Sequence, residues 1–404
     1  MTPIPRLRPY AGPALLSYGF RPFFLVGSIY AGLAVLAWLP MFSGELSVAT
    51  AFIPLDWHIH EMIYGYVAAV MTGFLLTAIP NWTGRLPIQG TPLLFLVALW
   101  LAGRIAITTS TYIGWLPAAI VDISFLMFVA AAAMREIVAG RNWANMKILV
   151  ILAVMISGNV VFHLEAYFRG VADYGIRLGI GAAITSIMII GGRIIPSFTR
   201  NWLVRENPGR LPSPFGRFDA FSLLLSVLAL AIWVAFPFGV VTAVALFVGG
   251  ILQGARLCRW AGDRTIQDRL VLVLHVGFAF VPVGFVLTGL AAFGSIVPSA
   301  GIHAWSTGAI GTMTLAVMTR ASLGHTGHAL SASNGTHAIY AAILAAAVTR
   351  VAAALLPLAS TALLAAAALA WVTAFLGFGV VYGPFLLAPQ QCSSSDVATT
   401  QKRV

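Results

Sequence analysis

The chain is a succession of long apolar runs broken by short polar turns. Each run is continuous rather than alternating, and most reach the roughly 20 residues that a helix needs to cross a hydrocarbon layer. Lipid gives backbone groups no partners, so such runs read as helices with their hydrogen bonds made internally. Twelve are predicted, at about 21–42, 57–80, 91–110, 113–135, 146–167, 174–197, 219–237, 238–260, 269–292, 299–320, 335–357 and 360–388. The expected fold is all-α, a polytopic membrane protein of about 12 transmembrane helices. The longest polar stretch, Phe198 to Arg217, is expected to be a loop. One transmembrane domain is therefore expected over 1–390, with a polar cytoplasmic tail over 391–404. No cleavable signal peptide is evident, because the first apolar run follows a basic, proline-containing start and is long enough to span.

Composition sharpens this picture. Hydrophobic residues make up 60% of the chain and charged residues 9%, so there is little aqueous surface. The formal net charge of +11 would suit nucleic acid, but its distribution does not. Alternate turns collect Arg21, Arg85, Arg135, Arg141, Lys147, Arg200, Arg205, Arg210, Arg217, Arg256, Arg259, Arg264, Arg269 and Arg320 together with both chain ends. The opposite turns hold only Arg169. This is the positive-inside pattern, and it predicts that both termini are cytoplasmic. Nucleic acid is thereby excluded as a partner, and the lipid bilayer takes its place. Cys258 and Cys392 form no CxxC, so neither a disulfide framework nor a zinc knuckle is expected.

The runs at 57–80, 174–197 and 299–320 share a direction and end alike. Their polar turns read Ile79-Pro80-Asn81-Trp82-Thr83-Gly84-Arg85, Ile195-Pro196-Ser197-Phe198-Thr199-Arg200 and Val317-Met318-Thr319-Arg320. The spacing is four helices each time, so three four-helix repeats would explain it. The competing explanation is that any inward-running helix tends to end in a basic turn. Three arcs of four helices is also the plan of the haem–copper oxidase catalytic subunit, a likeness at the level of fold alone. Oxidases carry a histidine pair on helix 10 and copper ligands on helices 6 and 7. Here helix 10 has one histidine, and helices 6 and 7 have none.

All eight histidines lie at or near helix ends. By the helical rise, His58, His60, His163 and His303 form an outer group, and His275, His325, His328 and His337 an inner group. Residues i and i+2 splay by about 200° on a helix, so His58 and His60 are expected to serve different partners. Two histidines from different helices at one depth suit a bis-imidazole haem, and three suit copper. Interfacial histidines that reach for water are the alternative. Glu61 and Glu165 follow His60 and His163 closely and are costly in lipid, which makes them candidates for proton transfer or for orienting a histidine. In the inner group, His325 and His328 are spaced to share a helical face, and His275 lies within the hydrocarbon. Copper ligation and structural roles both remain open for these four.

Arg104, Arg177 and Arg350 fall in the outer half of their helices, where each needs an anion. Asp122 could serve one of them, and haem propionates would serve others. Internal ion pairs that orient helices are the alternative.

Several segments resemble the NnrS family, haem- and copper-containing membrane proteins of the bacterial nitric oxide response. They are Gly19-Phe20-Arg21-Pro22-Phe23-Phe24, His60-Glu61-Met62, Gly73-Phe74-Leu75-Leu76-Thr77-Ala78 with Asn81-Trp82-Thr83-Gly84, Gly191-Gly192-Arg193-Ile194-Ile195-Pro196-Ser197-Phe198-Thr199-Arg200-Asn201-Trp202, and Met318-Thr319-Arg320 with Gly324-His325-Thr326-Gly327. They run in order from helix 1 to helix 10. The family commonly has arginine where this chain has His328, which counts against His328 as a ligand shared across the family. The resemblance implies haem b and copper as cofactors, nitric oxide or a related small molecule as partner, and the bacterial inner membrane as location. It also implies redox chemistry on nitric oxide, with an electron donor that the sequence does not identify. A carrier of metal or of a nitrosyl complex is the second functional class, since histidine groups on opposite faces would suit entry and exit.

Overall fold

The computed structural model describes residues 10–390, so the tail at 391–404 lies outside the described residues. Helices dominate, and no strand occurs among the described residues. Twelve long helices follow one another: α1 (Phe20–Phe42), α2 (Pro54–Thr83), α3 (Thr91–Thr108), α4 (Trp115–Ala139), α5 (Met146–Arg169), α6 (Tyr174–Glu206), α7 (Arg217–Ala235), α8 (Val240–Cys258), α9 (Arg269–Ala292), α10 (298–326), α11 (Asn334–Leu355) and α12 (Ser360–Leu387). Eleven are long and apolar enough to cross a membrane. The exception, α10, carries Ser299, His303, Ser306, Thr307, Thr312, Thr314 and Thr319, yet it is mostly buried. A helix walled in by protein does not face lipid, so apolarity is not demanded of it.

Neighbours in sequence pack together, and α12 returns against α1 to close the bundle. Centrality differs between helices. In α2, 83% of the most apolar window is buried inside the protein, against 33% in α7, α11 and α12. The central helices α2, α6 and α10 also touch one another. Tyr64 of α2 donates to the Gly175 carbonyl of α6 at 2.7 Å. Tyr66 of α2 bonds Thr314 of α10, and α6 packs on the middle of α10.

Those three helices are the ones that share a similar ending in the sequence. Among the described residues they alone contain π-helical turns, at Glu61–Val67, Ile187–Gly191 and Ala304–Gly311. Such turns are uncommon and concentrate at functional sites.

Small residues set the closest crossings, as expected where van der Waals contact drives helix association. A Cβ on Gly175 would lie 2.5 Å from the Phe162 Cα, so α6 leans directly on the backbone of α5. One expectation needs correction. Phe198 to Glu206 is not loop but the last turns of α6, and the connection is only 207–216.

Candidate functional site

The outer histidines divide between two places. The first is a buried polar cluster among α2, α3, α4 and α5. His60 and Glu61 stand where α2 enters its π turn, and neither is exposed at all. Arg104 of α3 donates from Nη1 to both Glu61 oxygens at 2.7 Å and from Nη2 to Asp122 of α4. Tyr30 of α1 donates to Glu61. Asn159 of α5 donates from Nδ2 to Asp122 Oδ2 at 2.7 Å, which orients its amide. Its Oδ1 then faces His60 Nε2 at 3.0 Å. His163, one turn further along α5, brings Nε2 to 3.2 Å from Asp122 Oδ2.

Gly65 makes this approach possible, since a Cβ there would sit 2.8 Å from Arg104 Nη1. The freed space lets the guanidinium pass close against the π turn of α2.

The cluster is one positive charge short. Two carboxylates, Glu61 and Asp122, face one guanidinium. Both His60 nitrogens face oxygens: Nδ1 lies 3.1 Å from Glu61 Oε1, and Nε2 lies 3.2 Å from Asp122 Oδ2. A neutral imidazole donates from only one nitrogen. A second proton on the ring, a proton on one carboxylate, or a metal ion between Nε2 and Asp122 would each offset the excess negative charge. His60, Asp122 and His163 offer three ligand atoms within 4.8 Å of one another. Bonds of about 2.0–2.1 Å around a tetrahedral ion place ligand atoms roughly 3.3 Å apart. The two 3.2 Å separations onto Asp122 Oδ2 fit that spacing.

The second place is a cavity of about 480 Å³ lined from α1, α2, α6, α7, α9, α10, α11 and α12. It holds His58, His303, Arg177 and Arg350, with Trp38, Met62, Tyr66 and Trp371 among its walls. The ring of His58 stacks on Trp38 with centroids 4.3 Å apart, and its Nδ1 is buried without a hydrogen-bond partner. His303 Nδ1 donates to the Ser299 carbonyl at 2.7 Å, which leaves Nε2 without a protein partner. Arg350 is half-buried and makes no hydrogen bond or ion pair among the described residues. Arg177, by contrast, is satisfied by Asp173 and the Val234 carbonyl. His58 and His60 thus serve different sites, as their spacing requires.

Two expectations change here. Arg104 is paired through Nη1 with Glu61 and through Nη2 with Asp122, so its charge is already met without a haem propionate. Glu165 is not in the cluster. Its carboxylate accepts from the backbone N–H groups of Asp173, Tyr174 and Gly175 at 2.9–3.1 Å and so ties the start of α6 to α5.

The inner histidines do not converge into a metal group. His275 of α9 bonds Thr199 of α6 at 2.8 Å. His325 lies against Tyr18 and Phe20. His328 contacts Thr326 and packs on Phe385 of α12. His337 is exposed at the start of α11. Sequence reasoning missed Asn159 and Tyr30. Asn159 had a readable signal, because it sits one turn before His163 on the same helical face. Tyr30 had none.

Comparison with known proteins gives one extended match. A family model described as NnrS protein matches residues 14–390, nearly the whole chain. Among curated proteins nothing matches.

Proposed function

The chain belongs to the NnrS family, and is thus a multi-pass membrane protein of the nitric oxide response; on that premise we propose that it binds haem b in the cavity of His58 and His303 and a copper ion at His60, Asp122 and His163. Arg350 carries the haem reading. An unpaired guanidinium inside a membrane protein needs an anion, and a propionate is one that the cavity could supply by bidentate pairing. The other features agree with it. Two imidazoles line the same space, one with an orphaned nitrogen and one anchored through Nδ1 so that Nε2 is free. The volume is within the usual range for small-molecule and cofactor sites. Two imidazoles and a carboxylate oxygen suit divalent copper at the second place.

Haem at such a site supplies reversible binding of nitric oxide and one-electron exchange. The chain's own residues prepare the surroundings. Trp38 fixes the His58 ring by stacking. Trp38, Met62 and Trp371 give the cavity an apolar wall that suits an uncharged gas. The Glu61–His60–Asp122–His163 chain can hold a proton or a metal ion against its excess negative charge. The arginine distribution supports placement in the bacterial inner membrane with both ends cytoplasmic. The carrier reading drew on a second histidine group at the arginine-rich end, and the scattering of those four residues removes its main support.

Absorption spectra of purified protein, with and without nitric oxide, test the proposal. His58→Ala and His303→Ala should each lose most of the haem, while His337→Ala keeps it. Full haem content in both cavity variants would overturn the assignment.

A further inference from the structure

The arginine-rich end contains a second, larger cleft that the haem and copper proposal leaves unused. Its volume is about 1380 Å³, and it lies where the ends of α2, α6 and α10 approach one another. The repeated polar turns of the sequence therefore meet in one space: Asn81 and Trp82 from α2, Pro196 to Asn201 from α6, and Arg320 from α10.

Four cations line this cleft: Lys147, Arg193, Arg200 and Arg320. No Asp or Glu lines it, and none of the four makes an ion pair among the described residues. Other basic residues nearby do find acids, such as Arg256 with Asp219 and Arg210 with Asp263. The guanidinium of Arg320 lies 4.2 Å over the Phe198 ring, and its Nη1 is buried with no hydrogen-bond partner. Asp268 acts on Arg320 from outside the lining, and Lys147, Arg193 and Arg200 are exposed, so the cleft carries an excess of positive charge that an anion would neutralise.

The rest of the lining says what kind of anion. Most of it is apolar, including Phe74, Ile148, Ile190 and Leu223. One wall comes from α5 and another from α7, two helices that make no extended contact with each other. Leu224 of α7 lines the cleft and is more than half exposed, so the cleft is open at its α7 wall, beside the gap that α5 and α7 leave between them. A small hydrophilic anion would leave this apolar wall uncovered. The chain ends do not match either, since Arg6 and Arg8 precede and Lys402 and Arg403 follow the described part and are themselves cationic.

We propose that this cleft is a binding site for an acidic phospholipid, with its phosphate among Arg193, Arg200, Arg320 and Lys147 and its acyl chains leaving between α5 and α7. Basic pockets between membrane helices recognise acidic headgroups through the same combination of charge and apolar contact. The inference is independent of the haem and copper reading.

The test uses the purified full chain in detergent. Phosphatidylglycerol, phosphatidylcholine and inorganic phosphate are titrated separately, and bound lipid is counted by native mass spectrometry. Phosphatidylglycerol alone should be retained. The double variant Arg193→Gln/Arg320→Gln should bind it about ten- to thirtyfold more weakly, from the usual worth of an arginine beside an acidic lipid. Unchanged affinity in that variant overturns the site. Equal retention of phosphatidylcholine overturns the charge argument, and displacement by inorganic phosphate at equal concentration shows a soluble anion instead. Should the variant fail to fold, a photoactivatable phosphatidylglycerol decides on the wild type. Its acyl chain should label peptides containing Ile148 or Leu224, and labelling elsewhere alone refutes the placement.

Discussion

Replacing Arg104 with Met removes the only guanidinium from the α2–α5 cluster while keeping an apolar stem of similar length. Glu61 and Asp122 are then both buried without it, and the deficit of positive charge grows from one to two. Breaking a buried ion pair by deleting one partner costs about 3–5 kcal/mol, mainly through the charge left behind. A second change, Asp122→Asn, removes one of those charges and restores the original balance. The double variant is therefore expected to be more stable than Arg104→Met alone, with a coupling of about 1–3 kcal/mol. Thermal unfolding in detergent reads the effect. With the average unfolding entropy per residue of globular proteins and 404 residues, the single variant should lose roughly 4–6 °C. If Arg104→Met costs under about 1 kcal/mol, or if the two costs simply add, the cluster is not the closed charge system described above.

Other consequences can be checked alongside. Arg350→Gln should leave the fold intact and lower haem retention on washing; unchanged retention would separate Arg350 from any cofactor anion. A chelator should lower the thermal midpoint of the wild type but not of His163→Ala, and an equal response in both would remove the metal reading of that site. Gly65→Ala should destabilise by about 1–3 kcal/mol, because the added methyl overpacks against Arg104. Glu165→Gln weakens three charge-assisted bonds at once, so hydrogen exchange should accelerate at Asp173, Tyr174 and Gly175, the residues whose amides it holds.

Much of the fold can be read in the sequence because lipid imposes one simple rule on backbone groups. That rule finds α10 as well, although its threonines and serines keep it below an ordinary hydropathy limit, since its neighbours rather than lipid surround it. The end of α6 is illegible for the opposite reason. Arg200, Asn201, Arg205 and Glu206 look like a loop, but a helix leaving the membrane can carry such residues on its solvated faces. For the site, spacing alone shows that His58 and His60 must part. Which of them joins His163 depends on how α2 turns against α5, and no local pattern reports that. The partners of Arg104 were partly foreseeable, with Asp122 suggested by depth. Glu61 was not, because its place beside Arg104 depends on the absence of a side chain at Gly65.

The π turn of α2 makes this division adjustable. Such a turn holds one residue more than an α-helical path of the same span, so it fixes the rotational phase between the two halves of α2. Deleting a single residue from Glu61–Val67 would close the wide turn to ordinary α-helix and re-aim the side chains within it. Glu61, Tyr64 and Tyr66 would then lose their present directions towards Arg104, Gly175 and Thr314. The phase of one helix, more than the identity of any ligand, sets which histidine meets the ionic cluster and which meets the cavity. Length changes of one residue in this segment are thus expected to be more damaging than most substitutions within it.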